Sequence, residues 1–358
     1  MTKKHGGDIY SYKEKILDFS TNINPLGVHP KVIEAAREAL SEVENYPDTE
    51  CRRLRAALSK KHGVSSENIV CGNGAAEIIF NVSAALKPKK VLLLSPTFSE
   101  YEQAIDVIGA EKKYYDLSPE NGFLIKEDIL NSIDSTVDMV FICNPNNPTG
   151  RLIDRDLLIR IADKCTENDA FLVVDECFLD FTSGYEKASL IPYLQKYERN
   201  LMVLRAFTKM YAIPGLRLGY GLCGDAVLHE KIREIRQPWS VSVVSEAAGI
   251  AACGLENIER ETRDFVRGER KRMMESIREI SPDKISVFDS DANYILFRAA
   301  AVEGKNLDEL LLKKSIMIRN CGNYRGLHND YFRIAVKKKD ENDRLIKALE
   351  EIYEENNG

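Results

Sequence analysis

The sequence predicts an α/β fold, with a large domain built on a mostly parallel sheet and a smaller α+β domain at the C-terminal end. Two observations support this. Between Val70 and Cys223, short apolar runs alternate with segments of helical periodicity, as in buried parallel strands joined by crossover helices. After Ser281, strand patterns follow one another and end in an amphipathic helix, which is typical of an α+β unit.

The elements of the predicted large domain follow in order. Helix patterns cover Pro30 to Ser41 and Arg52 to His62, and a third covers Ile78 to Leu86 after a glycine turn. Apolar runs bounded by polar, glycine or proline residues predict buried strands. These runs cover residues 92–94, 139–143, 171–174 and 201–204.

The C-terminal part begins with one long helical stretch of mixed charge, from Ser245 to Ile280. Strand patterns then cover 284–288, 294–298, 316–318 and 331–336, and a charged helix from Lys339 to Glu354 ends the pattern. We therefore expect an arm at residues 1–29, the large domain at 30–244 and the small domain at 245–358.

Composition restricts the class of protein. A chain of 358 residues with 44% hydrophobic residues can bury a large core, and a net charge of -6 argues against a nucleic-acid surface. The first residues lack an apolar signal segment, and no run approaches the roughly 18 apolar residues of a membrane span, so we expect a cytoplasmic protein. The eight cysteines form no C-x-x-C pair and the five histidines show no metal spacing, which predicts reduced thiols and no metal.

Lys209 is the most informative residue for chemistry. It follows the apolar run 201–204, so its amine would emerge where an α/β sheet opens onto its ligand crevice, and a lysine there can form an imine with an aldehyde. Eight residues later, Arg217 could hold a phosphate. Pyridoxal 5′-phosphate (PLP) carries both groups. Lysine and arginine are usually solvated surface residues. The other motifs must therefore decide whether Lys209 and Arg217 bind PLP or are ordinary surface charges.

Three further motifs support a site for a phosphorylated ring. A glycine turn at Gly72 and Gly74 before a helix would expose backbone N–H groups to an anion. Phe98 follows a buried strand and could lie on a planar ring. The stretch 144–150, Asn-Pro-Asn-Asn-Pro-Thr-Gly, is a loop stiffened by two prolines that presents asparagine amides after another strand.

A pair of carboxylates, Asp175 and Glu176, ends the apolar run that begins at Phe171. Burying a carboxylate is costly unless a cation meets it, and a protonated pyridinium nitrogen would be such a cation. Successive strand residues point to opposite faces, so only one of the two can address the ring. We assign that role to Asp175 and a structural role to Glu176. A helix or turn cap is the simpler alternative for Asp175, and Lys209 argues against it.

The order of these motifs resembles the fold-type I PLP enzymes and their PLP-dependent transferase fold. Within them it is similar to the branch of histidinol-phosphate aminotransferases and L-threonine-O-3-phosphate decarboxylases of cobalamin synthesis. The motifs are Gly-x-Gly at 72–74, Pro-Thr-Phe at 96–98, the Asn-Pro loop at 144–150, Asp-Glu-x-Phe at 175–178, Thr-Lys at 208–209 and Gly-Leu-Arg-Leu-Gly at 215–219. Four stretches, 5–7, 17–27, 236–239 and 318–327, favour the decarboxylase.

The resemblance implies a role for each matching position. Around the cofactor, Lys209 is the Schiff-base lysine, Asp175 lies at the pyridine nitrogen, Asn147 at the ring hydroxyl and Phe98 on the ring. The cofactor phosphate is implied to contact Ala75, Ala76, Thr208 and Arg217, together with Tyr46 of a neighbouring subunit, which implies a homodimer with shared active sites. Arg333 matches the arginine that binds the substrate α-carboxylate. His5, Asn22, Asn147 and Arg319 match other groups near a phosphorylated substrate, with residues 1–29 as an arm that covers it.

Two positions depart from the pattern. Phe178 stands where many aminotransferases have a tyrosine that donates to O3′ of the cofactor, so we expect a more basic internal imine. Arg325 replaces a usual proline. It either adds a cation beside Arg319 or points to solvent, and we favour solvent.

The resemblance predicts decarboxylation of O-phospho-L-threonine to 1-aminopropan-2-yl phosphate. Two alternatives remain open. An aminotransferase acting on histidinol phosphate or a related amine would share every cofactor residue. A non-catalytic effector domain of a transcription regulator is more remote, because no basic helix-turn-helix pattern precedes residue 30 and Lys209 is present.

Overall fold

A computed structural model describes residues 5–302 and 304–354 of the chain. The strands of the described part form one large sheet, one small sheet and one short pair. In chain order they are β1 (Leu17–Asp18), β2 (Ile69–Gly72), β3 (Lys90–Ser95), β4 (Glu111–Asp116), β5 (Met139–Cys143), β6 (Phe171–Asp175), β7 (Leu201–Ala206), β8 (Gly219–Cys223), β9 (Ile285–Val287), β10 (Tyr294–Ala299), β11 (Ile316–Met317), β12 (Arg319–Asn320) and β13 (Tyr331–Ala335).

The α-helices of the same residues lie mostly between these strands. They are α1 (Pro30–Glu38), α2 (Arg52–His62), α3 (Gly74–Leu86), α4 (Ser99–Ile108), α5 (Arg155–Glu167), α6 (Tyr185–Ala188), α7 (Phe207–Met210), α8 (Ala226–Ile235), α9 (Val243–Cys253), α10 (Ile258–Ile280), α11 (Leu307–Lys313) and α12 (Lys339–Glu354). No helix among the described residues is both long enough and apolar enough to cross a membrane.

The large sheet has seven strands in the order β2-β8-β7-β6-β5-β3-β4. Only β8 runs antiparallel to its neighbours, so the predicted mostly parallel sheet is confirmed. Both of its faces are covered. In β5, Val140 and Ile142 belong to one hydrophobic cluster, whereas Met139 and Phe141 belong to the other. Because both faces are buried, these strands are apolar throughout rather than alternating.

The small sheet is antiparallel, in the order β12-β13-β10-β9, and confirms the predicted α+β unit. It packs with α10, α11 and α12 around a separate hydrophobic cluster. The N-terminal segment joins this unit, because β1 pairs in parallel with β11 and the Ala335 N–H donates to the Phe19 carbonyl at 2.9 Å. The division of the chain at residues 29 and 244 remains a prediction.

Three predicted elements need correction. The single helix from Ser245 to Ile280 is two helices, α9 and α10, because Asn257 adopts a φ of 64°, which a continuous right-handed helix cannot include. The third helix begins at Gly74 rather than Ile78, so it includes the second glycine of the predicted turn, whereas Gly72 ends β2. The strand predicted over 316–318 is only β11 (Ile316–Met317), and it is followed by β12 (Arg319–Asn320), a strand of a different sheet that the sequence did not predict.

Candidate active site

A cavity of about 110 Å³ lies beside the carboxyl ends of β5, β6 and β7. Parallel strands end at the same edge of a sheet, and ligand crevices of α/β folds form there. All the predicted cofactor residues except Tyr46 line this cavity. The lining consists of Gly74, Ala75, Ala76, Phe98, Cys143, Asn147, Asp175, Cys177, Phe178, Ala206, Thr208, Lys209 and Arg217.

Lys209 lies on the short helix α7, directly after β7, as the sequence predicted. Desolvation of its amine, with smaller contributions from the cations Arg333 and Arg217, lowers the pKa of Lys209 to about 8. The amine nitrogen lies 5.4 Å from the centroid of the Phe178 ring. A lysine with this pKa is partly neutral near pH 8, so it can act as a nucleophile or exchange a proton there.

Asp175 ends β6 with its carboxylate held by two donors. The N–H of Cys177 donates to Oδ1 at 2.9 Å and the hydroxyl of Tyr101 donates to Oδ2 at 2.6 Å. Sequence reasoning missed Tyr101, because a tyrosine on the apolar face of α4 is typical of a core residue. Its ring stacks on Phe141 with centroids 5.0 Å apart.

Glu176 faces away from the cavity, as strand alternation predicted. Its side chain is fully buried, lies 3.0 Å from Arg205 and accepts hydrogen bonds from the Ser189 hydroxyl and the Leu190 N–H. Burial raises the pKa of Glu176, and the charge of Arg205 opposes that shift. Glu176 is therefore half of a buried ion pair on the other side of β6.

The N-terminus of α3 forms an open cradle at the cavity. The Asn73 side chain does not cap this helix, and the Glu77 carboxylate accepts from the Asn73 N–H at 2.5 Å, so the first N–H groups of the helix itself are available to an anion. Gly74 has a φ of 79°, and a Cβ there would lie 2.9 Å from Arg217 Nη2. A Cβ on Gly219 would lie only 2.3 Å from the Ala75 nitrogen. The two glycines thus keep the helix start, β8 and the arginine in close contact.

The cavity suits PLP on four grounds. It offers an amine for an aldehyde, a buried carboxylate for a ring nitrogen, an uncapped helix start with Arg217 for a phosphate, and Phe98 for a planar ring. Phe178 lines the cavity without a hydroxyl, as its sequence implied.

Arg333 lies on β13 and reaches the cavity through Asn147. Its Nη1 donates to the Asn147 side-chain oxygen and its Nη2 donates to the Ser20 carbonyl at 2.7 Å. The Nε of Arg333 is buried and has no hydrogen-bond partner among the described residues. The arm at Ser20, the small sheet and the cofactor cavity therefore meet at this guanidinium.

Arg319 lies directly opposite Arg333 across β12 and β13. Its buried guanidinium donates to the Asn323 side chain at 2.6 Å and lies 5.2 Å from the Tyr324 ring centroid. With His5 and Ser20 it lines a second cavity of about 470 Å³ between the arm and the small sheet. Asn22 is buried, and its side-chain oxygen has no partner among the described residues.

Three other predicted positions have surroundings that the sequence did not indicate. The His5 imidazole lies 3.1 Å from a carboxylate oxygen of Glu100. Tyr46 is 80% exposed and does not line the cavity of its own chain. Arg325 is exposed, but its guanidinium lies 4.0 Å from the ring centroid of Tyr114 rather than in open solvent. The expectation that Arg325 simply points to solvent is therefore incomplete.

Comparison with known proteins identifies the family. The profile described as aminotransferase class I and II matches residues 14–349. The chain belongs to this family. The family depends on PLP, so this protein is a PLP-dependent enzyme.

Particular members of the aminotransferase class I and II family are similar over almost the whole chain. The threonine-phosphate decarboxylase of Salmonella typhimurium is 36% identical over 97% of this chain and 96% of its own length. A Caldanaerobacter subterraneus protein provisionally named for the same activity is 39% identical, and the match covers 98% of this chain and 94% of that protein. The crystal structure of the histidinol-phosphate aminotransferase from Clostridium acetobutylicum has a TM-score of 0.87 and 32% identity, and the match covers 94% of this chain and 99% of that one.

Proposed function

We propose that the protein is a PLP-dependent decarboxylase that converts O-phospho-L-threonine to 1-aminopropan-2-yl phosphate and CO₂ for cobalamin synthesis. The observation that carries this proposal is the pairing of Arg319 and Arg333 on adjacent strands. The two guanidinium groups supply more positive charge than one substrate carboxylate requires, which suits an amino acid with a second anion. The relatives that share 36% and 39% identity have decarboxylase names.

In this proposal the cofactor is held by the residues of the first cavity. Asp175 faces the ring nitrogen, Asn147 the ring hydroxyl and Phe98 the ring face. Lys209 meets the aldehyde, and the phosphate contacts are those of Ala75, Ala76, Thr208 and Arg217. Bound PLP supplies a ring that accepts the electrons of a bond broken at the substrate Cα.

The protein residues decide which bond is broken. Arg333 binds the substrate α-carboxylate and Arg319 binds the phosphate, with His5 and Asn22 beside it, so the two ends of the substrate are fixed separately. The positions of these two binding groups relative to the ring then set the torsion about the substrate N–Cα bond, and with it which Cα bond stands perpendicular to the ring. Lys209, with a pKa of about 8, is the group that can deliver a proton to Cα after CO₂ leaves.

Transamination of histidinol phosphate is the second candidate. It is supported by the similarity to the Clostridium acetobutylicum aminotransferase structure. Both reactions use the same cofactor residues, and Lys209 would instead remove the proton from Cα. The two differ in one requirement, because an aminotransferase needs a keto acid to accept the amino group.

The discriminating assay incubates the purified enzyme and PLP with O-phospho-L-threonine and no keto acid. Release of CO₂ and formation of 1-aminopropan-2-yl phosphate are expected. No CO₂, together with turnover of histidinol phosphate that depends on 2-oxoglutarate, would overturn the decarboxylase proposal and support the aminotransferase.

We further propose a cytoplasmic homodimer in which Tyr46 reaches the cofactor phosphate of the partner. The supporting observation is that Tyr46 is a large side chain on the surface of its own chain. Mixed dimers of Tyr46→Phe and Lys209→Ala subunits test this. Each mixed dimer should contain one site with both native residues, and no recovery of activity in confirmed mixed dimers would exclude shared sites.

A further inference from the structure

The segment 236–240, directly after α8, holds the loop that carries Tyr46. Nη2 of Arg236 donates to the Thr49 carbonyl at 2.5 Å and to Oε1 of Glu50 at 2.6 Å. The Arg236 side chain is only 12% exposed. These contacts fix the loop backbone three residues after Tyr46, at Thr49, and the Glu50 side chain one residue further on.

Trp239 makes a second contact with the same loop. Its ring stacks on the ring of Tyr46, with centroids 4.6 Å apart and an angle of 30° between the planes. The stack leaves Tyr46 80% and Trp239 47% exposed, so it buries little apolar surface. Its main effect is therefore on the direction of the Tyr46 ring rather than on the stability of the core.

The backbone of Trp239 is strained. Its φ is 59°, in the left-handed region that large side chains seldom adopt. Strain of this kind persists only where neighbouring contacts impose it, and it is often found at functional positions. Here the next residue is anchored, because Asn73 Nδ2 donates to the Ser240 carbonyl at 3.1 Å.

Asn73 directly precedes Gly74, the first residue of α3 and of the phosphate cradle. Segment 236–240 therefore spans from the cradle of its own chain to the Tyr46 loop. A tyrosine on a free surface loop loses conformational entropy when it is ordered in a complex, and contacts made beforehand reduce that loss.

We propose that Arg236 and Trp239 are positioning residues that orient Tyr46 for the cofactor phosphate of a second copy of the chain. This inference rests on the role proposed above for Tyr46. Neither residue lines the cofactor cavity of its own chain. Their effect on cofactor affinity passes entirely through the hydroxyl of Tyr46.

Trp239 is the only tryptophan of the chain, so its fluorescence reports on the stack without any assay of activity. In the full-length protein freed of cofactor, Tyr46→Leu should shift the emission to longer wavelength and increase quenching by acrylamide. Tyr10→Leu, which removes another exposed tyrosine, is the control and should change neither. Unchanged emission in Tyr46→Leu would overturn the stack and the proposal.

The decisive measurement is a double-mutant cycle on the dissociation constant of PLP. Loss of a hydrogen bond to a charged group in Tyr46→Phe should raise Kd by about tenfold or more. Trp239→Leu and Arg236→Gln should each raise Kd by about threefold in the native background, because losing one contact leaves Tyr46 partly disordered. In the Tyr46→Phe background the same substitutions should leave Kd unchanged. Trp239→Phe, which preserves a stacking ring, should restore the native value.

The outcomes separate the possible failures. If the Kd factors of Trp239→Leu and Tyr46→Phe multiply, the two residues act independently and positioning is excluded. If Tyr46→Phe leaves Kd unchanged, the proposed role of Tyr46 fails and the inference fails with it. A coupled Kd pattern in an enzyme that releases no CO₂ from phosphothreonine would remove the decarboxylase proposal and leave this inference intact.

Arg267→Gln, which breaks an exposed pair with Asp264, is the matched control for Arg236→Gln.

Discussion

The hydroxyl of Tyr101 donates to Oδ2 of Asp175 at 2.6 Å, and both side chains are buried. Burial, reinforced by the Asp175 charge, raises the pKa of Tyr101 well above its usual value, so the phenol remains a donor throughout the physiological pH range. The Cys177 N–H holds the other carboxylate oxygen. Asp175 is therefore oriented by the protein itself, which is the preorganisation that an electrostatic role at a ring nitrogen requires.

Tyr101→Phe should lower kcat/KM by about tenfold to a hundredfold, because it removes a hydrogen bond to a charged group and lets the Asp175 carboxylate turn. Stacking on Phe141 should survive, so the variant should fold and still capture PLP. Steady-state kinetics and the absorbance of bound cofactor are the measurements. Tyr115→Phe removes a tyrosine hydrogen bond to Asp128 near the sheet edge and is the control. Equal effects of the two substitutions would contradict a specific role for Tyr101.

The lowered pKa of Lys209 predicts how cofactor capture depends on pH. Desolvation favours the neutral amine, so the reactive fraction rises as pH increases through about 8 and levels off above it. An ordinary lysine, with a pKa near 10.4, would continue to gain reactivity up to pH 10. The rate of PLP capture by cofactor-free enzyme, followed by absorbance, should show the plateau.

Borohydride reduction and peptide mapping identify the lysine that captured the cofactor. The labelled peptide should contain Lys209, and Lys209→Ala should bind PLP without covalent capture. A label on any other lysine would refute the assignment.

Arg319→Ala should selectively weaken phosphorylated substrates. Loss of a buried contact between the guanidinium and a phosphate costs roughly 2–4 kcal/mol, or about thirty- to thousandfold in kcat/KM. Unphosphorylated threonine should be little affected. Arg325→Ala is the matched control, since that arginine lies over Tyr114 and is exposed. An equal loss for phosphorylated and unphosphorylated substrates would mean that Arg319 does not bind the phosphate.

Arg205→Met should destabilise the fold strongly. The substitution leaves Glu176 fully buried without its cation, and removal of one partner of a buried pair typically costs about 3–5 kcal/mol. Arg160→Met, which breaks an exposed pair with Glu127, should cost less than about 1 kcal/mol. Urea unfolding of both variants measures the free energies. Similar values for the two would show that the buried pair is dispensable.

Local sequence signals predicted most of the large sheet, because strands buried on both faces leave uninterrupted apolar runs. The break between α9 and α10 was missed because Asn257, with its positive φ, lies inside a stretch that has helical periodicity on both sides. The sequence pattern places the start of α3 at Ile78 rather than Gly74, because glycine disfavours helix interiors. Glycine nevertheless suits a first turn that must approach Arg217.

The sequence by itself determined the fold class and the positions of Lys209, Asp175 and the glycine turn, because each is tied to the end of a strand or the start of a helix by local pattern. Only the tertiary structure decided the partners of these groups. Tyr101 reaches Asp175 across 74 residues of chain, and Asn73 reaches Ser240 across 167. Such contacts arise where separate elements pack together, and neither composition nor periodicity records which side chains meet there.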